Sequence, residues 1–273
     1  MRKNRTYSLL VAGSLLLFIG GLFCLPGEIT VSNNVYGKEL PIQSVETEEK
    51  KAVLTFECAW DHSSIKDILE ILEDHNVRAA FFVTGDWVKQ YPEDVRRIVQ
   101  GGHDIGNHSA THRNMVQLEK EEIEKELKET HQAVKELTGK EMKFFRPPYG
   151  AFNDTVILTA KEGGYLTVMG NIDSMDWKDY GAKTILRTVM EDKELQEGSI
   201  IRLNSEAKYT KEALPKLIES LEREGFRLVP LSQLLYQEAY HLDVKGRQIP
   251  QMTGDQPSFL RGFGLWTVRI FVI

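Results

Sequence analysis

GHDIGNHSATHRNM, residues 102–115, is the stretch on which the fold and chemistry of this chain turn. It holds three of the seven histidines, and two of them, His108 and His112, are spaced i and i+4. That spacing sets two imidazoles on one side of a helical turn or tight loop, where both reach one divalent metal. Histidine pairs four apart also arise by chance. A metal site therefore needs a carboxylate from another strand end and a companion motif elsewhere.

Outward from that stretch, short apolar runs alternate with amphipathic helical segments. AVLTF (52–56) precedes SIKDILEILEDH (64–75), and VRAAFFV (77–83) precedes PEDVRRIVQGG (92–102), with Pro92 at a helix start and a glycine pair at its end. Residues 119–138 form the longest amphipathic segment, with Ile123, Leu127, Val134 and Leu137 on one face and a solvated run of charges on the other. KFFRPP, GYLTVMG, GSIIRL and GFRLVPL are four more strands, with helices near 153–162, 182–191 and 210–224 between them. About seven β-α units in one run predict an α/β domain with a parallel, barrel-like sheet.

In such barrels the chemistry sits where strands end and loops begin. Glu57, Cys58 and Asp61 follow the first strand, and His103, His108 and His112 come with the third. Arg146, Pro147, Pro148, Tyr149 and Gly150 follow the fourth, Asp173, Asp176 and Trp177 the fifth, and Asn204 and Ser205 the sixth. Two imidazoles and one carboxylate make an open metal site of catalytic type. A second carboxylate, Glu57 or Asp61, takes the proton of a metal-activated water. Arg146 paired with Asp176 orients that base and holds its pKa low. The backbone N–H of Tyr149, after two prolines, faces a developing oxyanion. The sum is metal-assisted hydrolysis of an amide or ester.

The two ends read differently. Arg2, Lys3 and Arg5 precede an apolar run over residues 9–25, which reads as an export signal or a membrane anchor (residues 1–28). No A-x-A cleavage pattern follows it, and Phe23 before Cys24 is too bulky for a lipoprotein signal. The cations stay inside, so the rest is expected outside the cytoplasm, held at the membrane if the segment is uncleaved. The chain carries a net charge of −6, and setting aside the +3 of residues 1–27 leaves −9. That acidic balance excludes nucleic acid as a partner by overall field. Two cysteines, one in the export segment, give no disulfide framework. Residues 29–50 are polar without periodicity and read as a linker to a domain over 51–240. Residues 241–273 read as a tail, turn-rich and then apolar to the last residue, a final strand or a docking segment.

GHDIGNHSATHRNM, RPPYG (146–150) and DSMDW (173–177), in this order, resemble the polysaccharide deacetylase family, the NodB homology domain of carbohydrate esterase family 4, over roughly residues 50–238. The chain is similar in particular to exported Gram-positive members. The resemblance implies a distorted (β/α) barrel, a divalent metal such as zinc or cobalt, and removal of N-acetyl groups from an acetylated amino-sugar polymer, chitin-like or peptidoglycan. It implies His108 and His112 as metal ligands, Arg146 as the arginine tethering the base, Asp176 as its partner and Tyr149 at the oxyanion site.

Two departures stand out. Where the family usually reads TFDD, this chain reads TFECAWD (55–61). Glu57 takes the base position, and Cys58 is either the third metal ligand, as a thiolate, or a buried, inert cysteine, with Asp61 the other candidate ligand. Where the fifth motif ends in the histidine that protonates the leaving amine, IIRLNS offers Asn204, whose amide hydrogen-bonds but is no acid. His103 reads as a structural hydrogen-bonding residue, Asp173 as ordering its loop, and His62, His75, His131 and His241 as surface residues. Trp60, Trp87 and Trp177 suit core packing as well as sugar stacking. Two functions follow: an exported deacetylase, slowed by these changes, or an inactive relative that binds glycan or plays a regulatory role at the cell surface. A glycosidase barrel built on two carboxylates has no use for the histidine pair.

Overall fold

A computed structural model of the chain describes residues 31–251, and its first strands overturn the linker. Residues 31–50 supply β1 (Val31–Ser32), β2 (Asn34–Val35), β3 (Lys38–Glu39) and β4 (Ser44–Val45), with Ile42 and Val45 fully buried. Polar composition hid them because the buried positions, among them Pro41 with Ile42 and Ser44 with Val45, are too few and too mixed in polarity to make an alternating run.

The rest follows the expected alternation. β5 (Lys51–Cys58), β6 (Ala80–Val83), β7 (Asp104–Asn107), β8 (Phe144–Phe145) and β9 (Leu166–Thr167) pair in parallel, each with the next. β10 (Ile172–Asp173) pairs with β11 (Ser199–Asn204), and β11 runs parallel to β5 over its whole length. β12 (Arg227–Leu228) also pairs with β5. The former linker then bridges the remaining gap. Ile42 exchanges hydrogen bonds with Thr167 and Met169 on one side, while Val45 N–H donates to Gly198 O and Ser44 pairs with Ser199 on the other. These pairings make the distorted (β/α) barrel that the sequence predicts. The helices Ile65–Asp74, Pro92–Gln100, Lys120–Thr138, Asp154–Glu162, Ala182–Met190 and Thr210–Arg223 connect its parallel strands.

The C-terminal boundary shifts as well. β13 (Tyr240–Leu242) and β14 (Arg247–Pro250) form a hairpin that joins β1 and β4, so the tail expected from residue 241 belongs to the sheet through Pro250. The apolar end, residues 252–273, and the export segment lie outside the described residues. Among the described residues no helix is long and apolar enough to cross a membrane.

The period-2 rule divides β5 cleanly. Ala52, Leu54, Phe56 and Cys58 pack with Ile65, Ile68 and Leu217 of the helical layer, while Val53 packs inside with Ala80, Phe82, Val168 and Ile200. Closure depends on one glycine. Gly198 has φ +80°, and a Cβ there would lie 1.8 Å from Val45 O. Gly198→Ala is expected to cost about 3 kcal/mol in urea unfolding, because neither the backbone angle nor the approach of Val45 tolerates it. A loss under about 1 kcal/mol would show that β4 is dispensable for closure.

Candidate active site

At the C-terminal ends of the strands, the histidine loop leaves β7 without forming a helix. Ser109 (φ +67°) and His112 (φ +56°) are left-handed, so the i, i+4 pair sits on a tight loop. That loop is held by a residue the sequence hid in its charge run. Glu126, on the inner face of Lys120–Thr138 and 7% exposed, accepts hydrogen bonds from the N–H groups of Ala110 and Thr111, both 2.8 Å, and from the Thr111 hydroxyl. A glutamate interrupting the apolar face of an amphipathic helix, one turn from Ile123 and beside Leu127, was the available signal.

The loop places the two imidazoles 4.9 Å apart, centroid to centroid. His108 is fully buried, and its Nδ1 lies 2.7 Å from Arg146 O. A carbonyl only accepts, so Nδ1 carries the proton and Nε2 keeps its lone pair. His108 Nε2 and His112 Nδ1 are both buried without a partner. Burial depresses both pKa values, that of His112 to about 4 with help from His108, so both rings are neutral near pH 7. Two orphaned, neutral imidazole nitrogens are what a divalent metal binds.

The third ligand is where the sequence reading fails. Cys58 faces the helical core rather than the barrel mouth, as a buried, inert cysteine would, and burial pushes its thiol up. Asp61 is exposed, and its carboxylate turns back to the Ser63 hydroxyl. Among the described residues no three histidine, cysteine or acidic side chains gather as a metal-binding group. The carboxylate that approaches is Glu57, whose Oε2 stands 3.6 Å from His108 Nε2. Zinc titration is expected to fail in His108→Ala and His112→Ala and to be unchanged in Cys58→Ala and Asp61→Ala. Lost affinity in either of the last two would restore that residue as a ligand.

Arg146 does not pair with Asp176, which corrects the sequence reading. Its guanidinium, 1% exposed, reaches Glu57 Oε1 at 3.3 Å, Thr55 Oγ1 at 2.9 Å and Val168 O at 3.2 Å, and lies 4.2 Å over the Phe82 ring. Thr55 and Glu57 alternate on the inner face of β5, which is why one arginine spans both. Burial pulls the Arg146 pKa down to about 10, with Glu57 opposing. Burial alone would raise that of Glu57, yet the guanidinium charges of Arg146 and Arg202 and the Arg146 hydrogen bond oppose it, and the carboxyl is held below its usual range.

Asp176 serves a different residue. Its carboxylate, 1% exposed, accepts from Asn204 N and Asn204 Nδ2, both at 2.7 Å, and from Thr210 Oγ1 at 2.6 Å. Burial raises its pKa against the pull of these bonds. A carboxylate facing Asn204 fixes the amide with nitrogen toward Asp176 and oxygen away. Asn204 is anchored, and it has no ionisable proton. Asp173 orders its own loop through Met175 N–H (2.9 Å) and pairs with Arg202 (2.7 Å).

A cleft of about 680 Å³ opens over these groups, with Glu57, His112, Arg202 and Asn204 among its lining. Tyr149, left-handed at φ +59° after the two prolines, has its ring 4.6 Å from that of His112. The tryptophans now separate. Trp87 is buried at 1%, whereas Trp60 (61%) and Trp177 (58%) are exposed and line the cleft with Tyr149 (67%). His103 accepts from Ala79 N–H away from the cleft, as a structural residue should. His131 is half-buried between Tyr165 and Glu141, not free on the surface.

A barrel mouth with a histidine pair, an arginine-held carboxylate and an aromatic-rimmed cleft defines a hydrolase-type site for a bulky polar substrate. The family model described as polysaccharide deacetylase matches residues 44–168. The chain is 31% identical over 200 residues to the peptidoglycan-N-acetylmuramic acid deacetylase PdaA of Bacillus subtilis (strain 168), spanning 72% of this chain and 75% of that protein. A CE4 family pseudoenzyme from Bacillus anthracis matches at TM-score 0.69 and 33% identity, over 72% of this chain and 69% of its own. A mutant of that pseudoenzyme has restored enzymatic activity. A peptidoglycan N-acetylglucosamine deacetylase in complex with an N-oxidanyl-benzamide compound matches at TM-score 0.68 and 31% identity, over 71% of this chain and 92% of its own. The chain belongs to the polysaccharide deacetylase family.

Proposed function

We propose that this chain removes N-acetyl groups from an acetylated amino-sugar polymer of the cell wall, slowly, on the outer side of the membrane. The observation that carries the reading is the pair of orphaned nitrogens, His108 Nε2 and His112 Nδ1, beside the arginine-held carboxylate of Glu57. The residues suit a divalent metal, zinc or cobalt, held by the two imidazoles with Glu57 the nearest carboxylate. Such a metal supplies Lewis-acid polarisation of the amide carbonyl and acidification of water. Glu57 is the proton acceptor for the attacking water, kept ionised by Arg146. The Tyr149 N–H faces the developing oxyanion, and the exposed aromatics seat the sugar rings. Asn204 hydrogen-bonds but delivers no proton, so the leaving amine takes its proton from solvent, and turnover is slow. The location rests on the basic and apolar N-terminal segment.

The test is acetate release from acetylated glycan by the zinc- or cobalt-loaded protein. Slow release that disappears in Glu57→Gln and His108→Ala supports the proposal. Asn204 and the missing third ligand favour a second reading, a glycan-binding protein without turnover. No acetate from the wild type, with glycan still bound, would establish it.

A further inference from the structure

Residues 59–61 leave β5 with three consecutive backbone N–H groups that neither strand nor helix uses. One side chain takes all three. Glu206 Oε1 accepts from Ala59 N (2.9 Å) and Trp60 N (3.0 Å), and Oε2 from Asp61 N (3.4 Å). Successive N–H groups turned to one side form a nest for an anion, and a carboxylate fills it with charge-assisted hydrogen bonds. The neighbouring residue strengthens the tie, because Ser205 N and Ser205 Oγ both donate to Glu57 O at 3.0 Å. Asp61 O in turn accepts from Trp87 Nε1 at 3.1 Å, which pins the far end of the loop to the core.

The loop so clamped carries Trp60, whose ring is 61% exposed and stands 5.2 Å from that of His112 at the cleft. A tryptophan left largely in water gives up a large hydrophobic contribution, which a ligand with an apolar face restores on binding. A sugar ring has such a face. Binding gains most when the platform is already rigid, since ordering a loop on association subtracts from affinity.

We propose that Glu206 is a positioning residue for the glycan: by filling the N–H nest of residues 59–61 it fixes Trp60 as a rigid platform beside His112, on which one pyranose ring stacks. The proposal rests on the glycan reading above and names the element that seats the polymer. Glu206 itself lies at the cleft, but both of its carboxylate oxygens are engaged by the N–H groups of residues 59–61, so its part is to hold the loop.

The test uses the full chain with Glu206→Ala, Glu206→Gln, Trp60→Ala and the Glu206→Ala/Trp60→Ala double variant, each checked for an unchanged unfolding midpoint. Hydrogen exchange is followed at the amides of residues 59–61, and calorimetry measures affinity for a tetramer of N-acetylglucosamine. Glu206→Ala is expected to speed exchange at those amides and to weaken the tetramer about tenfold. Trp60→Ala should weaken it by a similar factor, and the double variant should be no worse than either, because the two act as one. Glutamine keeps the Oε1 acceptor for two of the three N–H groups and should fall between. Wild-type exchange in Glu206→Ala, or affinity losses that simply multiply in the double variant, would overturn the proposal. If the wild-type chain binds no tetramer while Glu206→Ala still exchanges faster, the tether stands and the glycan reading falls.

Discussion

Asn204→His is expected to raise acetate release by about 10²-fold or more, the usual worth of a positioned general acid. The site is prepared for the change. Asp176 already directs a carboxylate at the side chain of residue 204 from 2.7 Å, and Thr210 and the Asn204 N–H hold that carboxylate in place. A histidine there would give one ring N–H to Asp176 and point the other nitrogen into the cleft, with its imidazolium stabilised by the buried carboxylate. Residue 204 lines a cleft of about 680 Å³, so the larger ring has room. The rate of the variant should fall at alkaline pH as the new acid deprotonates, a limb the wild type lacks. Acetate release that stays at the wild-type level would mean the missing third ligand, not the acid, limits the site.

Arg146→Met is expected to cost about 3–5 kcal/mol of stability, the usual penalty for leaving one partner of a buried ion pair. Three acceptors lose their donor at once: Glu57 Oε1, Thr55 Oγ1 and Val168 O. Glu57 keeps some solvent, with 22% of its side chain exposed, which places the expectation toward the lower end. Urea unfolding measures the loss. Adding Glu57→Gln to Arg146→Met should recover part of it, since the uncompensated charge is gone, whereas Glu57→Gln alone still accepts from Arg146 and should cost less. A single variant within about 1 kcal/mol of wild type would show that the cation is not what holds the barrel mouth together.

The long helices and most strands of residues 51–228 were legible from their apolar runs and helical spacing, whereas the short helix Gly85–Gln90 and the two-residue strand Ile172–Asp173 were not. β5 is a short apolar run, Lys120–Thr138 repeats at helical spacing, and Pro92 and the Gly101–Gly102 pair mark a start and a stop. The histidine pair was legible as a pair. Its setting was not: Glu206, which holds one site loop, looks like any other surface acid in sequence, and Glu126, which holds the other, is marked only by its place on the apolar face of its helix. The closing segment at residues 42–45 escaped for a related reason: two buried apolar side chains, Ile42 and Val45, in a polar stretch make no pattern.

By itself the sequence determined the class of fold, the positions of the strand ends and the chemistry available there: two imidazoles, Glu57, Arg146, and an amide where an acid is expected. Those follow from local periodicity and residue type. Only the tertiary structure decided who meets whom. It turned Cys58 into the core by the alternation of β5, gave Arg146 to Glu57 and Asp176 to Asn204, and sorted Trp87 from Trp60 and Trp177. Partnership at a barrel mouth depends on which side chains from separate strands project to one point. That is set by sheet register and closure, which no single stretch of the chain contains.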